Sequence, residues 1–149
     1  MNRMTDQALE DIFHKLQNLF PFHGYCDRTM LEEVSVIVRE LRKFLPDFEQ
    51  RRLLDIGSGP MDKTAMFKFL GFQCCAADDL TDPWHQRNGN AGKIKEFAAL
   101  AGIEFFHQTP NDYAIPFESE SFDVVSALGV IEHLHLVLAR RPVRGRRHP

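Results

Sequence analysis

The 149-residue sequence lacks a long hydrophobic run: no stretch approaches the roughly 18 consecutive apolar residues that a membrane-spanning helix needs. Its first six residues lead directly into a polar, amphipathic segment and not into the apolar core of a signal peptide. We therefore expect a cytoplasmic protein that has no membrane partner.

Cysteine is scarce, with only Cys26, Cys74 and Cys75 in the chain. The number is odd, and Cys74 and Cys75 are neighbours on a predicted strand, where successive side chains point to opposite faces. A disulfide framework is therefore not expected. His133 and His135 stand two residues apart, and no His/Cys cluster has the spacing of a structural zinc site, so we expect no metal.

Basic residues are few outside the last eleven positions. Five of the 18 lysines and arginines lie in residues 139–149, so the preceding residues have 13 basic against 21 acidic side chains. An acidic body does not favour nucleic acid, and we expect no nucleic-acid partner.

Two amphipathic helices are predicted before the first strand. Apolar residues recur at helical spacing from Leu9 to Phe20 and again from Leu31 to Leu45, and prolines follow both runs. Thr29 and Glu32 have the spacing of a capping box, which predicts the start of the second helix.

Strands and helices then alternate. The predicted strands cover residues 52–56, 72–77, 103–107 and 122–127, and the helices between them cover residues 61–70 and 93–101. Helices between successive strands imply parallel pairing. We therefore predict an α/β, Rossmann-like, doubly wound parallel sheet, with a ligand crevice between the first and fourth strands, where the strand order reverses.

The stretch Leu53-Leu54-Asp55-Ile56-Gly57-Ser58-Gly59-Pro60 combines a buried strand, a tight loop and a helix start. Glycine has no Cβ, so Gly57 and Gly59 allow the backbone to approach a bound group closely. The amides at the helix start add unpaired donors.

This stretch resembles the first motif of the class I S-adenosylmethionine-dependent methyltransferases, Asp/Glu-x-Gly-x-Gly-x-Gly, through its second glycine; Met61 replaces the third. Three further segments match in order: Ala76-Ala77-Asp78-Asp79, Ile115-Pro116-Phe117 leading into Ser121-Phe122-Asp123-Val124-Val125, and Val130-Ile131-Glu132-His133-Leu134. The resemblance covers residues 53–134 and implies S-adenosyl-L-methionine as cofactor.

The same resemblance implies cofactor contacts. Asp55 would lie near the methionyl ammonium group. The backbone of Gly57, Ser58 and Gly59 would pass close to the amino-acid and ribose parts. Asp78 would accept hydrogen bonds from the ribose hydroxyls, since a carboxylate can accept two at once.

Three more positions belong to this predicted site. Asp79 is the alternative to Asp78, and Asn111 or Asp112 would face the adenine amino group. For each aspartate of this site, the alternative role is a helix cap or a turn residue.

Glu132 and His133 follow the fourth strand and are the candidates for a catalytic base or a substrate contact. A histidine on a helix face without a catalytic task is the alternative. The Asn-Pro-Pro-Tyr signature of nucleobase and amide methylation is missing from residues 126–129. The acceptor that the resemblance implies is therefore a small molecule, either a small metabolite or a glycan precursor.

Three regions are predicted: a helical extension (1–48), a cofactor-binding core (49–138) and a basic, disordered tail (139–149). A complete methyltransferase of this class has further strands, and none follows the fourth strand here, so we interpret the chain as truncated. The alternative is a non-catalytic remnant or binding module that needs a partner. Its exposed fourth-strand edge would permit self-association.

Two questions stay open at this stage. Residues 57–64 nearly match a phosphate-binding loop, but Asp62 stands where that loop has glycine, and a carboxylate would repel phosphates. The only tryptophan, Trp84, either folds over a ligand or pins its loop to the domain.

Overall fold

A computed structural model describes residues 6–110 and 114–130. The elements in chain order are α1 (Asp6–Leu19), α2 (Arg28–Leu41), β1 (Arg52–Ile56), α3 (Asp62–Phe69), β2 (Gln73–Asp78), α4 (Asn90–Ala101), β3 (Glu104–His107) and β4 (Val124–Ser126). The alternation of strands and helices predicted from the sequence is confirmed.

The strands form one parallel sheet in the order β3-β2-β1-β4. Leu54 of β1 is in register with Cys75 on one side and with Val125 on the other. The fold is α/β and Rossmann-like, as predicted. Strand order reverses between β1 and β4, and in open parallel sheets ligands bind at such a point, outside the carboxyl ends of the strands.

The two faces of the sheet are covered differently. A large core joins all four helices to one face, through the β1 and β2 side chains Leu53, Cys74 and Ala76. The opposite face has a smaller cluster, in which Leu54, Cys75 and Ala77 are packed by single side chains such as those of Phe117 and Phe122. The adjacent cysteines thus point to opposite faces and are free thiols, as expected.

The predicted capping box at Thr29 is wrong. The N-cap of α2 is Asp27, whose side chain accepts a hydrogen bond from the Met30 amide. Asp27 competes for the same role two residues earlier, and a carboxylate is also favoured at the positive end of a helix. The helix ends at Leu41 instead of continuing to Leu45, and Arg42 is its C-cap.

Other boundaries shift by small amounts. Helix α4 begins at Asn90, three residues before the predicted start, and β4 has only three residues. The predicted tail and two sets of predicted site residues lie outside the described residues: Asn111 and Asp112, and Glu132 and His133. Among the described helices, none is both long and apolar enough to cross a membrane.

Candidate functional site

The loop between β1 and α3 has a left-handed backbone at three alternate positions. The φ angles are +66° at Gly57, +53° at Gly59 and +66° at Met61. The amides of Gly57 and Ser58 both donate to the Ala77 carbonyl, at 2.7 and 3.3 Å. The glycine loop, residues 57–61, is therefore fastened to the carboxyl end of β2.

The two glycines have different surroundings. A Cβ placed on Gly57 would lie 2.5 Å from Cγ2 of Val130, so only glycine fits under the segment that follows β4. A Cβ placed on Gly59 would meet nothing within 4 Å. Gly57 thus serves close packing, whereas Gly59 leaves one side of the loop open to a ligand.

Asp78 connects the glycine loop to the end of β2. One carboxylate oxygen accepts from the Gly59 amide at 2.9 Å, and the other accepts from the Leu80 amide at 2.8 Å. Asp78 is only 8% exposed. Since each oxygen has a further lone pair, the carboxylate can still accept bonds from ligand hydroxyls at this edge.

Asp55 lies deeper, at the end of β1, and is 4% exposed. Its oxygens accept from the hydroxyls of Thr64 at 2.5 Å and Ser126 at 2.7 Å, which joins β1 to α3 and β4. Burial raises the pKa of this carboxyl above its usual value, and the two hydroxyls oppose that shift only in part. The predicted contact with a ligand ammonium group stays a prediction.

Asp79 is placed differently from Asp78. Its carboxylate accepts from the amide and the hydroxyl of Thr81, at 2.9 and 2.7 Å, and so closes a local turn. Of the two adjacent aspartates, Asp78 is the one bonded to the glycine loop.

The structure does not favour a phosphate-binding loop, because the two side chains that such a loop needs are bonded to other residues. The Lys63 ammonium is paired with Glu33 of α2 at 2.6 Å, and the Thr64 hydroxyl is bonded to Asp55. Asp62 stands at the helix start, where burial raises its pKa despite two backbone donors. The lysine and the hydroxyl that would bind phosphate and metal are thus both engaged elsewhere.

An aromatic group lies beside this site. The ring of Trp84 packs against Phe22 and Tyr25 of the α1–α2 connection, with ring centroids 4.9 and 5.3 Å apart. Burial and then the nearby carboxylates of Asp62 and Asp82 raise the pKa of the Tyr25 phenol. Trp84 therefore pins its loop to the N-terminal helices, one of the two roles considered from the sequence.

Two polar side chains are buried in this region without a hydrogen-bond partner among the described residues: Ser58 through its hydroxyl and His85 through both ring nitrogens. Sequence reasoning included Ser58 but missed His85 and Tyr25. Nothing in their spacing distinguishes them from surface loop residues. Within residues 6–110 and 114–130, no His, Cys, Asp and Glu side chains cluster as a metal site.

The fold and this site define a Rossmann-like α/β protein with a glycine loop and a β2-terminal carboxylate at one sheet edge. No protein-family model matches the chain, and no curated protein matches it.

Similar solved structures exist at low identity. One is the YcgJ protein from Bacillus subtilis, with 19% identity and a TM-score of 0.47 over 64% of this chain and 37% of that one. Another is a Methanococcus maripaludis protein provisionally named an S-adenosyl-L-methionine-dependent methyltransferase, with 16% identity and a TM-score of 0.48 over 89% of this chain and 53% of that one.

A third similar structure is YjhP from E. coli, with 16% identity and a TM-score of 0.44 over 87% of this chain and 44% of that one. The present chain spans about half or less of each of these structures. The assignment of the fold rests on the strand order and the parallel register described above.

Proposed function

We propose that this chain binds S-adenosyl-L-methionine at the glycine loop and is the cofactor-binding part of a methyltransferase for a small acceptor, a small metabolite or a glycan precursor. The hydrogen bond from the Gly59 amide to Asp78 supports this proposal most directly. It brings the glycine loop into contact with the aspartate at the end of β2, and these are two of the sequence motifs on which the resemblance rests.

The residues at this edge fit the cofactor chemically. Asp78 offers acceptors for the ribose hydroxyls, and Gly59 presents backbone with free space above it. The buried Ser58 hydroxyl lacks a partner among the described residues and can bond a polar ligand atom. When bound, the cofactor supplies a methyl group activated by a sulfonium, whose positive charge suits an acidic edge.

The contribution of the protein to such a reaction is alignment and exclusion of water. Parallel pairing of β4 with β1 places the end of β4 beside the glycine loop. Glu132 and His133 follow that strand in the sequence, and we propose one of them as the base that removes a proton from the acceptor.

The test is calorimetric titration of S-adenosylmethionine into the chain and into Asp78→Asn. We expect affinity to fall about tenfold or more, since a hydrogen bond to a charged group contributes about 1.5–3 kcal/mol. Glu104→Gln is the matched control: this exposed carboxylate lies on the same sheet but at the amino end of β3. Equal affinity of Asp78→Asn and the unsubstituted chain would refute the role of Asp78.

A second candidate function is a non-catalytic module that pairs with a second copy of itself. Among the described residues β4 stands at the end of the strand order, and its Val125 is 59% exposed. Sedimentation over a range of concentrations tests it: a concentration-dependent dimer with no cofactor affinity would favour this alternative, and a monomer that unfolds cooperatively would reject it.

A further inference from the structure

Three half-buried aromatic rings, those of Phe22, Tyr25 and Trp84, lie together and are called the aromatic corner below. The plane of Trp84 is inclined by 63° to that of Phe22 and by 64° to that of Tyr25. Rings that are tilted against each other in this way form an angle and not a flat stack. Because each ring stays partly exposed, the corner presents aromatic surface to a ligand.

Two carboxylates lie next to the aromatic corner. One oxygen of Asp82 accepts a hydrogen bond from the Trp84 amide at 2.7 Å, which holds this carboxylate beside the tryptophan. Burial raises the pKa of the Tyr25 phenol, and the negative charges of Asp62 and Asp82 raise it further. Both carboxylates therefore act on the same ring of the corner.

The described chain places no cation of its own against these groups. Four other aromatic rings each have a lysine or arginine over them: Phe13, Phe48, Phe69 and Phe122. Within residues 6–110 and 114–130, no lysine or arginine lies over a ring of the aromatic corner or forms an ion pair with Asp62 or Asp82. The corner thus combines aromatic rings and negative charge without a positive partner.

The aromatic corner also lies close to the glycine loop. Asp62 is the first residue of α3 and directly follows that loop. The ion pair between Lys63 and Glu33, at 2.6 Å, fastens the first turn of α3 to α2, and Tyr25 lies just before the start of α2. A ligand at the corner would therefore be a neighbour of a cofactor at the loop.

We propose that Tyr25, Trp84 and the carboxylates of Asp62 and Asp82 form a site for an organic cation, an alkylated ammonium group carried by the acceptor. The faces of tryptophan and tyrosine attract a cation that lies within about 6 Å of the ring centroid. The alkyl groups of such a cation bury apolar surface against the rings. The two carboxylates favour positive charge and repel an anionic acceptor. As an assignment of the acceptor, this inference rests on the proposed function.

The first experiment is a fluorescence titration with choline, which carries a trimethylammonium group. Trp84 is the only tryptophan, so its emission reports the aromatic corner. The matched ligand is the neutral carbon analogue of choline, in which a tert-butyl group replaces the trimethylammonium group. We expect choline to change the emission in a saturable manner, and we expect the neutral analogue to bind about tenfold more weakly. Equal affinity of the two ligands would overturn the inference.

Substitutions separate the contributions of ring and charge. Tyr25→Phe keeps the aromatic face and should bind choline almost as well as the unsubstituted chain, whereas Tyr25→Leu should bind it about threefold more weakly or worse. Asp82→Asn keeps the oxygen that bonds the Trp84 amide but removes the charge, and it should also weaken binding. Glu104→Gln is the control, because this exposed carboxylate lies at the other end of the sheet.

These variants provide clear contradictions. Unchanged choline affinity in both Tyr25→Leu and Asp82→Asn would reject the site. An equal loss in Glu104→Gln would show that only the overall charge of the chain attracts choline, and it would also reject the site. Thermal unfolding of each variant confirms that it is folded, and Tyr25→Phe and Asp82→Asn still decide the matter if Tyr25→Leu does not fold.

A second titration distinguishes an acceptor site from a site for the cofactor's own cation. Choline is titrated in the presence of saturating S-adenosylhomocysteine, which has the cofactor's ammonium group but lacks its methyl group and sulfonium charge. We expect choline to bind with unchanged affinity, because the two ligands occupy neighbouring places. Competition between them would reject the acceptor site. If calorimetry shows no binding of S-adenosylmethionine or S-adenosylhomocysteine, the proposed function fails, and the choline titration alone still accepts or rejects the cation site.

Discussion

At the residue scale, Met61 is a residue other than glycine that takes a left-handed backbone in the glycine loop. Its φ of +66° lies in the left-handed region, yet its side chain is completely buried. A left-handed conformation costs an L-residue about 1–2 kcal/mol, and burial of the methionine side chain more than offsets this. Met61 thus combines a strained backbone with a side chain that packs in the core.

Met61→Gly tests that balance. Truncation of a buried methionine costs about 2–5 kcal/mol, whereas relief of the strained φ returns about 1–2 kcal/mol. We expect a net loss of roughly 1–3 kcal/mol in the free energy of unfolding, measured with urea. An equally stable or more stable variant would show that strain, and not packing, dominates at this position.

Burial of Asp55 predicts that the free energy of unfolding falls as the pH rises through the folded pKa of this carboxyl. Its folded pKa is raised by burial, so the folded chain binds more protons than the unfolded chain between the usual carboxyl pKa of about 4 and the raised value. The stabilisation that the protonated Asp55 contributes is fully present below its unfolded pKa, and it is lost as the pH rises through its folded pKa.

Asp55→Asn should therefore flatten the dependence of the unfolding free energy on pH above the ordinary carboxyl pKa of about 4. Asparagine resembles the protonated carboxyl and can still bond Thr64 and Ser126. Urea unfolding of both proteins at several pH values measures the effect. Asp123 contributes equally to each protein, whereas loss of the Asp55 charge also lowers the pKa of Asp62, which flattens the curve in the same direction. Parallel curves for the two proteins would refute the link between burial of Asp55 and pH.

At the element scale, the start of α2 depends on one hydrogen bond, from the Met30 amide to Asp27. Asp27→Ala should reduce the free energy of unfolding by about 1 kcal/mol. Thr29→Ala is the matched control, because Thr29 is exposed inside the helix; it should change stability by less than about 0.5 kcal/mol. A larger effect at Thr29 than at Asp27 would restore the capping box expected from the sequence.

The elements themselves could be predicted because their signals are local. Apolar spacing, prolines and glycines predicted the helices and strands that the structure describes, and the strand–helix alternation predicted a parallel sheet whose strand order reverses between the first and fourth strands. The capping error arose because the spacing of Thr29 and Glu32 matches a capping box, while Asp27, a stronger N-cap, lies two residues earlier. Contacts such as Lys63 with Glu33, or Trp84 with Tyr25, join distant segments, and no spacing rule reports them.

At the scale of the whole molecule, the packed core lies on one face of the sheet, and the edge where we propose that the ligand binds lies at the carboxyl ends of the strands. The described helices build one core on a single face, and the glycine loop, Asp78 and the Trp84 loop meet at the carboxyl ends of β1 and β2. The position of this edge could be predicted from the topology. The unpartnered imidazole of His85 could not, because burial of its ring nitrogens depends on the final packing.

The most direct test of the central proposal is a pair of calorimetric titrations of the folded chain, one with S-adenosylmethionine and one with ATP and magnesium. The glycine loop and Asp78 predict binding of the first ligand, and the pairing of Lys63 with Glu33 predicts none of the second. Binding of ATP alone would restore the phosphate-loop interpretation, and binding of neither ligand to a folded chain would contradict the cofactor site.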